Sequence, residues 1–293
     1  MLLNYVKRKN LPKGKRYFFS LLLKSSKPIS ELKLHFYKYH GTGNDFILVD
    51  NREGTFNPDR TKIAFLCNRR FGIGADGLIL LEGKSGYDFS MRYYNADGNE
   101  SSMCGNGGRC ITAFADFLSL PGDHYRFCAI DGDHSGIILE KKGDTHLIKL
   151  KMGDVLSVNK WDNDDVIDTG SPHLVRFITD PDSVDVVNEG RKLRNHQDFK
   201  TDGINVNFVK TEGDELFVRT YERGVEDETL SCGTGVTASA LAFALKNGKQ
   251  GGSVIVKTCG GSLKVHFTRS GEGFTGIWLE GPAVRVFEGT IDI

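Results

Sequence analysis

The chain has 293 residues, 39% of them apolar and 26% charged, with 38 basic and 38 acidic side chains. Those proportions place it among soluble globular proteins with more core than one small domain needs. No apolar run approaches the ~18 residues of a membrane span, and residues 31–293 carry 30 basic against 38 acidic side chains, a poor match for a nucleic-acid backbone.

Residues 1–30 hold eight lysines and arginines and no acidic residue. Their one apolar run, FFSLLL, is short for a signal-peptide core and no small-x-small cleavage pattern follows it. A basic extension without fixed structure is expected there, with a transit peptide as the alternative reading. Strand-like runs follow at residues 46–49 and 78–81, and a helical pattern lies between them at 61–70. The letters GxGxxG occur at Gly72, Gly74 and Gly77. A dinucleotide loop of that form must follow a strand and open a helix. Here a helix precedes it and a strand follows, so a nucleotide site is not expected.

A turn Cys104-Gly105-Asn106-Gly107 then precedes an apolar helical stretch at 111–118. The second half repeats the order: strands at 205–209 and 216–219, a turn Cys232-Gly233-Thr234-Gly235, and a helical stretch at 237–245. Aligned with itself at a shift of about 127 residues, the chain keeps register through three separate segments, and RYYNADGNESSMCGNG meets RTYERGVEDETLSCGTG with one extra residue. We read an internal duplication. The expected fold class is α+β, with two similar domains that each wrap a curved mixed sheet around a central helix. Residues 31–155 and 156–293 are the expected domains, with the site in the cleft between them and the last strand free to cross back to the first domain.

Six cysteines show neither CxxC spacing nor histidines at zinc-like separations. They read as free thiols of a reducing, cytoplasmic compartment. Four of them (Cys67, Cys110, Cys128 and Cys259) are expected to be small buried apolar groups. Cys104 and Cys232 differ, because each stands where a helix begins. Unpaired amides there favour a thiolate and can hold a carboxylate. Two thiols related by duplication can face one carbon from opposite sides, one removing a proton and the other returning one. No phosphate-binding loop and no lysine in a pyridoxal setting occurs, so neither a cofactor nor a metal is expected.

The segments HGTGNDF (residues 40–46), NADG (95–98), MCGNGGR (103–109), GSPH (170–173), NVNF (205–208), YERG (221–224) and SCGTG (231–235) resemble the diaminopimelate epimerase family, in that family's order. The resemblance implies interconversion of LL- and meso-2,6-diaminopimelate, a step toward lysine and peptidoglycan, without pyridoxal phosphate or metal. Carried over by position, it implies that Cys104 and Cys232 are the catalytic pair. Gly105, Asn106, Gly233 and Thr234 would hold the reacting carboxylate through helix-start amides. Asn44, Asn95, Asn205, Glu222 and Arg223 would contact the rest of the substrate, with Arg223 on the distal carboxylate. His173 and Ser171 would support them. Ser171 stands where the family often has Asn, and Gly77 where some members carry an amide, so Gly77 is assigned no side-chain role.

The partner expected is the small-molecule substrate, with no nucleic acid and no membrane; a homodimer is the assembly considered. Two other readings compete. A proline racemase-like or 3-hydroxyproline enzyme would use the same thiols, but its substrates need no Arg223. A binding protein of this fold without activity would have no reason to retain both cysteines.

Overall fold

The computed structural model describes residues 33–293; the basic extension expected over residues 1–30 lies outside the described residues. Among the described residues, seventeen strands form one hydrogen-bonded sheet network around two central helices. In the first half β1 (Lys33–Gly41) lies antiparallel to β2 (Asn44–Asp50), and β2 runs parallel to β3 (Gly77–Glu82). β4 (Phe89–Asn95) pairs antiparallel with β3 and β5 (Glu100–Ser101), and parallel with β6 (His124–Ala129). The antiparallel strands β7 (Gly132–Lys142) and β8 (Thr145–Lys151) complete it.

After β9 (Asn159–Trp161) the second half repeats this pairing, strand for strand. β10 (Asp164–Asp168), β11 (Pro172–Phe177), β12 (Asn205–Glu212) and β13 (Glu215–Glu222) take the places of β1 to β4. β14 (Asp227–Thr229), β15 (Gly251–Thr258), β16 (Gly261–Ser270) and β17 (Gly273–Asp292) take those of β5 to β8. The fold is thus α+β and duplicated. The two closing strands also meet: Gly281–Val284 of β17 pairs antiparallel with Thr145–Ile148 of β8, as strands related by a twofold must.

Four helices complete the described residues: α1 (Arg60–Cys67), α2 (Gly105–Phe117), α3 (Val186–Arg194) and α4 (Gly233–Lys246). α2 and α4 are buried over almost their whole length. Their Ala, Gly, Thr and Ser side chains let strands approach on every side, as a helix without a polar face requires. Three hydroxyls on them are satisfied within the helix: Thr112 donates to the Gly108 carbonyl at 2.7 Å, Thr237 to Gly233 at 2.9 Å and Ser239 to Gly235 at 2.7 Å. No helix among the described residues is long and apolar enough to cross a membrane.

The structure corrects three sequence expectations. Both central helices begin directly after the cysteines, so each Gly-x-Gly is the first helical turn rather than a turn before it. Glycine lowers helix propensity, but a buried helix with neighbours this close needs glycine for room. Helix α1 ends at Cys67, not at 70. The GxGxxG segment caps it: the Ile73 and Gly74 amides both donate to Leu66 and the Ala75 amide donates to Cys67. Finally, Cys259 is exposed and Cys128 half-buried, so the apolar reading fits only Cys67 and Cys110 of the four. Cys259 follows β15 in the tight connection to β16, where no core is available.

Candidate active site

The outer helices α1 and α3 are capped by Asp59 and Asp185, whose carboxylates accept first-turn amides, the ordinary way to satisfy a helix start. The central helices differ. Their N-caps are Cys104 and Cys232, and neither makes a side-chain cap bond. Both helices therefore begin with amides that no capping carboxylate or hydroxyl occupies, a ready anion site.

The two helix starts touch. A Cβ built on Gly105 would lie 3.6 Å from the Gly233 Cα, and one built on Gly233 would lie 3.4 Å from the Gly105 Cα. Both would also press on the Leu279 side chain, at 3.2 and 3.0 Å. The residues following the two cysteines thus meet at the pseudo-twofold, one thiol to each half. Across the seam the Asn106 side chain donates to the Ser231 carbonyl at 2.9 Å.

The thiols have unequal surroundings. Cys104 faces Asn44, with its sulfur 3.6 Å from Oδ1. The orientation of that amide is fixed at both ends: Asn44 Nδ2 donates to the Asp76 carboxylate at 2.7 Å, and its Oδ1 accepts from Asn106 at 3.2 Å. Cys104 therefore meets an oxygen that can only accept. Cys232 instead lies 3.4 Å from the Thr234 hydroxyl, which lies 2.9 Å from His173 Nε2. Asn207 Nδ2 donates to the Leu174 carbonyl at 3.1 Å and approaches His173 Nδ1 at 3.1 Å. A carbonyl cannot donate, so this amide nitrogen is correctly placed and Nδ1 is the accepting ring nitrogen. The proton then sits on Nε2, which donates to Thr234 and leaves the threonine hydroxyl to donate to Cys232.

Burial pushes both thiols above their ordinary value, and Glu222 adds to this at each. Opposing it at Cys104 are the amides of Gly107 and Asn106 and the charge of Arg109; at Cys232 they are the Thr234 hydroxyl and the Gly235 amide. Glu222 is itself raised by burial, against a hydrogen bond from Thr229 at 2.9 Å. Fully buried His173 is pushed down to about 3 by burial, with Arg223 adding to it, and is neutral at pH 7.

That depression has a sign. Between pH 6.5 and about 3 the unfolded chain binds a proton at His173 that the folded chain refuses, so stability falls as pH falls through that window. Each pH unit there costs about 1.4 kcal/mol. On moving from pH 7 to pH 5, the wild type is expected to lose about 2 kcal/mol more than His173→Gln, read from urea midpoints at the two pH values. Equal losses in the two proteins would contradict a buried neutral histidine.

A third cluster gathers Ser171, Asn205 and Arg223. Asn205 donates to Ser171 Oγ at 2.9 Å and accepts from the Arg223 amide at 2.9 Å. The Arg223 guanidinium donates to the Asp202 carbonyl at 2.7 Å and to Ser171 Oγ at 3.3 Å. Arg223 and Glu222 thus turn to different partners instead of pairing. The repeat relates these residues: Leu78 pairs with Tyr94 in β3–β4 as Val206 pairs with Tyr221 in β12–β13, which makes Asn95 the counterpart of Glu222, as Asn44 is of Ser171. Asn95 is exposed at the end of β4, and no hydrogen bond joins its side chain to the other expected site residues. At Gly77 a Cβ would lie 2.5 Å from the Tyr93 ring and 2.6 Å from the Tyr94 carbonyl, so this chain has no room for a side chain there.

Residues 36–158 and 166–286 each match the family model described as diaminopimelate epimerase. The chain belongs to the diaminopimelate epimerase family. It is 50% identical over 257 residues to the diaminopimelate epimerase of Flavobacterium psychrophilum, covering 87% of this chain and 99% of that one. It is 44% identical to that of Chlorobaculum tepidum, over 86% of this chain and 99% of the relative. Among solved structures, a PhzF-family phenazine biosynthesis protein from Bacillus anthracis superposes with a TM-score of 0.69 at 15% identity, over 89% of this chain and all of that one. A hydroxyproline epimerase from Agrobacterium vitis does so at 0.65 and 16%, over 89% and 93%. At those identities the likeness is one of fold. This is the fold of an isomerase family, and the duplication belongs to it.

Sequence reasoning passed over four side chains that hold this candidate site together: Asp76, Asn207, Thr229 and Arg109. Arg109 alone left a readable signal, as the single charge between the glycine-rich turn and the uncharged run CITAFA that follows it. The others are ordinary polar residues whose partners lie far off in sequence.

Proposed function

We propose that this chain interconverts LL- and meso-2,6-diaminopimelate, using Cys104 and Cys232 as alternate acid and base. The observation that carries the reading is the meeting of the two uncapped helix starts at Gly105 and Gly233, with a thiol at the head of each. The close relatives named for this activity support the substrate.

The reacting carboxylate binds the open first-turn amides of Gly105, Asn106, Gly233 and Thr234, where two helix dipoles favour negative charge. With the α-carbon held between the sulfurs, the thiolate on one side takes its hydrogen. The opposite thiol then delivers a proton to the other face. Each turnover leaves the pair with its roles exchanged, so both thiols need a raised but reachable pKa. Glu222 and His173 tune them. Asn44, Asn95, Asn205 and Arg223 hold the rest of the substrate, and Ser171 steadies the Arg223 fork. Residues 31–155 and 156–293 supply the two walls. No cofactor or metal takes part in this scheme, the site of action is the cytoplasm, and the protein has no nucleic-acid or membrane partner.

Proline-type substrates lack the distal ammonium and carboxylate, so Arg223 separates the two substrate classes. A charge-assisted pair contributes about 1.5–3 kcal/mol, so Arg223→Ala is expected to lower kcat/KM for diaminopimelate at least about tenfold. Arg223→Lys should recover only part of this, because a point charge replaces a fork. The deciding assay follows inversion of LL-diaminopimelate, L-proline and trans-4-hydroxy-L-proline side by side. Turnover of diaminopimelate alone supports the reading; turnover of a proline and none of diaminopimelate overturns it.

A further inference from the structure

Arg109, from the second turn of α2, is 0% exposed and is the largest fully buried side chain among the described residues. No carboxylate pairs with it among the described residues. Its guanidinium instead donates to neutral oxygens: the carbonyls of Pro282 at 3.3 Å and Gly105 at 3.2 Å, Thr42 Oγ1 at 3.3 Å and Asn106 Oδ1 at 2.9 Å. Burial pushes it down to about 10, so it stays charged at neutral pH. A buried charge without a counter-ion is expensive, and the fold makes room for it. A Cβ on Gly41 would lie 3.0 Å from its Nη2, and one on Gly281 3.4 Å from its Nε.

The duplication sharpens the question. Counting from each cysteine, Arg109 corresponds to Thr237, a neutral residue that bonds the equivalent carbonyl, and Asn106 corresponds to Thr234. The second half therefore offers Cys232 a donating hydroxyl, whereas the first half sets the accepting Asn44 oxygen against Cys104. A reversible inversion requires both sulfurs to carry negative charge in turn. Cys104 lacks the donor that Cys232 has.

We propose that Arg109 is a positioning residue of the reaction, which fixes the first turn of α2 through Gly105 and Asn106 and adds the positive charge that helps Cys104 ionise. It does for one thiol what Thr234 and His173 do for the other. The titratable groups acting on Cys104 are Glu222 from β13, Tyr93 from β4, Cys110 from α2, Cys232 at the start of α4 and Arg109. Of these Arg109 alone is a cation; it favours the thiolate alongside the stronger pull of the Gly107 and Asn106 amides, while Glu222 opposes it. The proposal rests on the two-thiol reading above, but its test does not need turnover.

The test is the pH dependence of iodoacetamide alkylation, mapped by peptide mass, at Cys104 in a Cys232→Ser protein and at Cys232 in a Cys104→Ser protein. Arg109→Met is expected to slow Cys104 alkylation about tenfold at pH 8, a shift of about one pH unit, and to leave Cys232 within about threefold. Arg109→Lys, which keeps the charge and loses the fork, should hold Cys104 within about threefold even where its melting temperature drops. If Arg109→Met fails to fold, the lysine variant decides alone. An unchanged Cys104 profile in Arg109→Met, an equal slowing of both thiols, or a tenfold slowing in Arg109→Lys overturns the proposal. Normal thiol titrations in a protein inert toward diaminopimelate would instead fault the substrate reading.

Discussion

Cys104→Ala and Cys232→Ala are each expected to lower kcat for inversion by at least about 10²–10⁴-fold, the usual worth of a positioned acid or base. The two losses should be similar, because inversion needs a proton removed on one face and returned on the other. They should also fail to add: a double variant has no more to lose than a single one, as for other groups acting as a unit. Alanine fits both places without strain, since each cysteine has extended backbone at a helix N-cap and no cap bond is removed. Thermal melting should accordingly move little. Chiral chromatography of diaminopimelate in long incubations gives the measurement. Near-normal activity in either single variant would remove that sulfur from the chemistry.

The second large effect is expected at Gly235, in the first turn of α4. A Cβ there would lie 2.3 Å from Asn207 Oδ1 and 3.3 Å from the His173 ring. Asn207 cannot yield cheaply, being fully buried and holding Thr220, Leu174 and His173 together. Gly235→Ala should therefore break the chain of donors that ends on Cys232 and lower kcat at least about a hundredfold, with a stability cost of about 1–3 kcal/mol for overpacking. The equivalent Gly107 provides the control. Its Cβ would crowd the ends of Ile79 and Met91, at 3.1 and 3.3 Å, which are flexible and can give way, and would meet the Phe46 ring edge at an ordinary 3.7 Å. Gly107→Ala should lose less than about tenfold. Equal damage at the two positions would mean that the polar relay behind Cys232 has no special role.

The contrast between these glycines shows how far the sequence could be read. The duplication was legible because strand order, register and the two Cys-Gly-x-Gly motifs all recur at one spacing, and the structure returns the same pairing in both halves. The central helices were legible as apolar runs. Their starts were misjudged, because glycine reads as a breaker until the crowding between Gly105 and Gly233 is seen. Helix α3 escaped notice because it is short and largely polar, with only Val186, Gly190 and Leu193 buried. The site's chemistry was carried by cysteines in a recognisable setting, whereas its supports were not. Asp76 aims Asn44, Asn207 sets the histidine tautomer, and Arg109 reaches Pro282 from 173 residues away. Spacing carries no trace of partners so remote.

The most direct test of the central claim, that two sulfurs on opposite faces share one inversion, is turnover of LL-diaminopimelate in deuterium oxide followed by mass spectrometry from the first few per cent of conversion. Two separate groups must return a solvent-derived proton to the face opposite the one deprotonated. The meso product should carry one deuterium at the inverted carbon, while the remaining LL substrate stays unlabelled. Meso product that retains the substrate's own hydrogen from the outset would mean that one group serves both faces, and would contradict the assignment of Cys104 and Cys232 as an opposed pair.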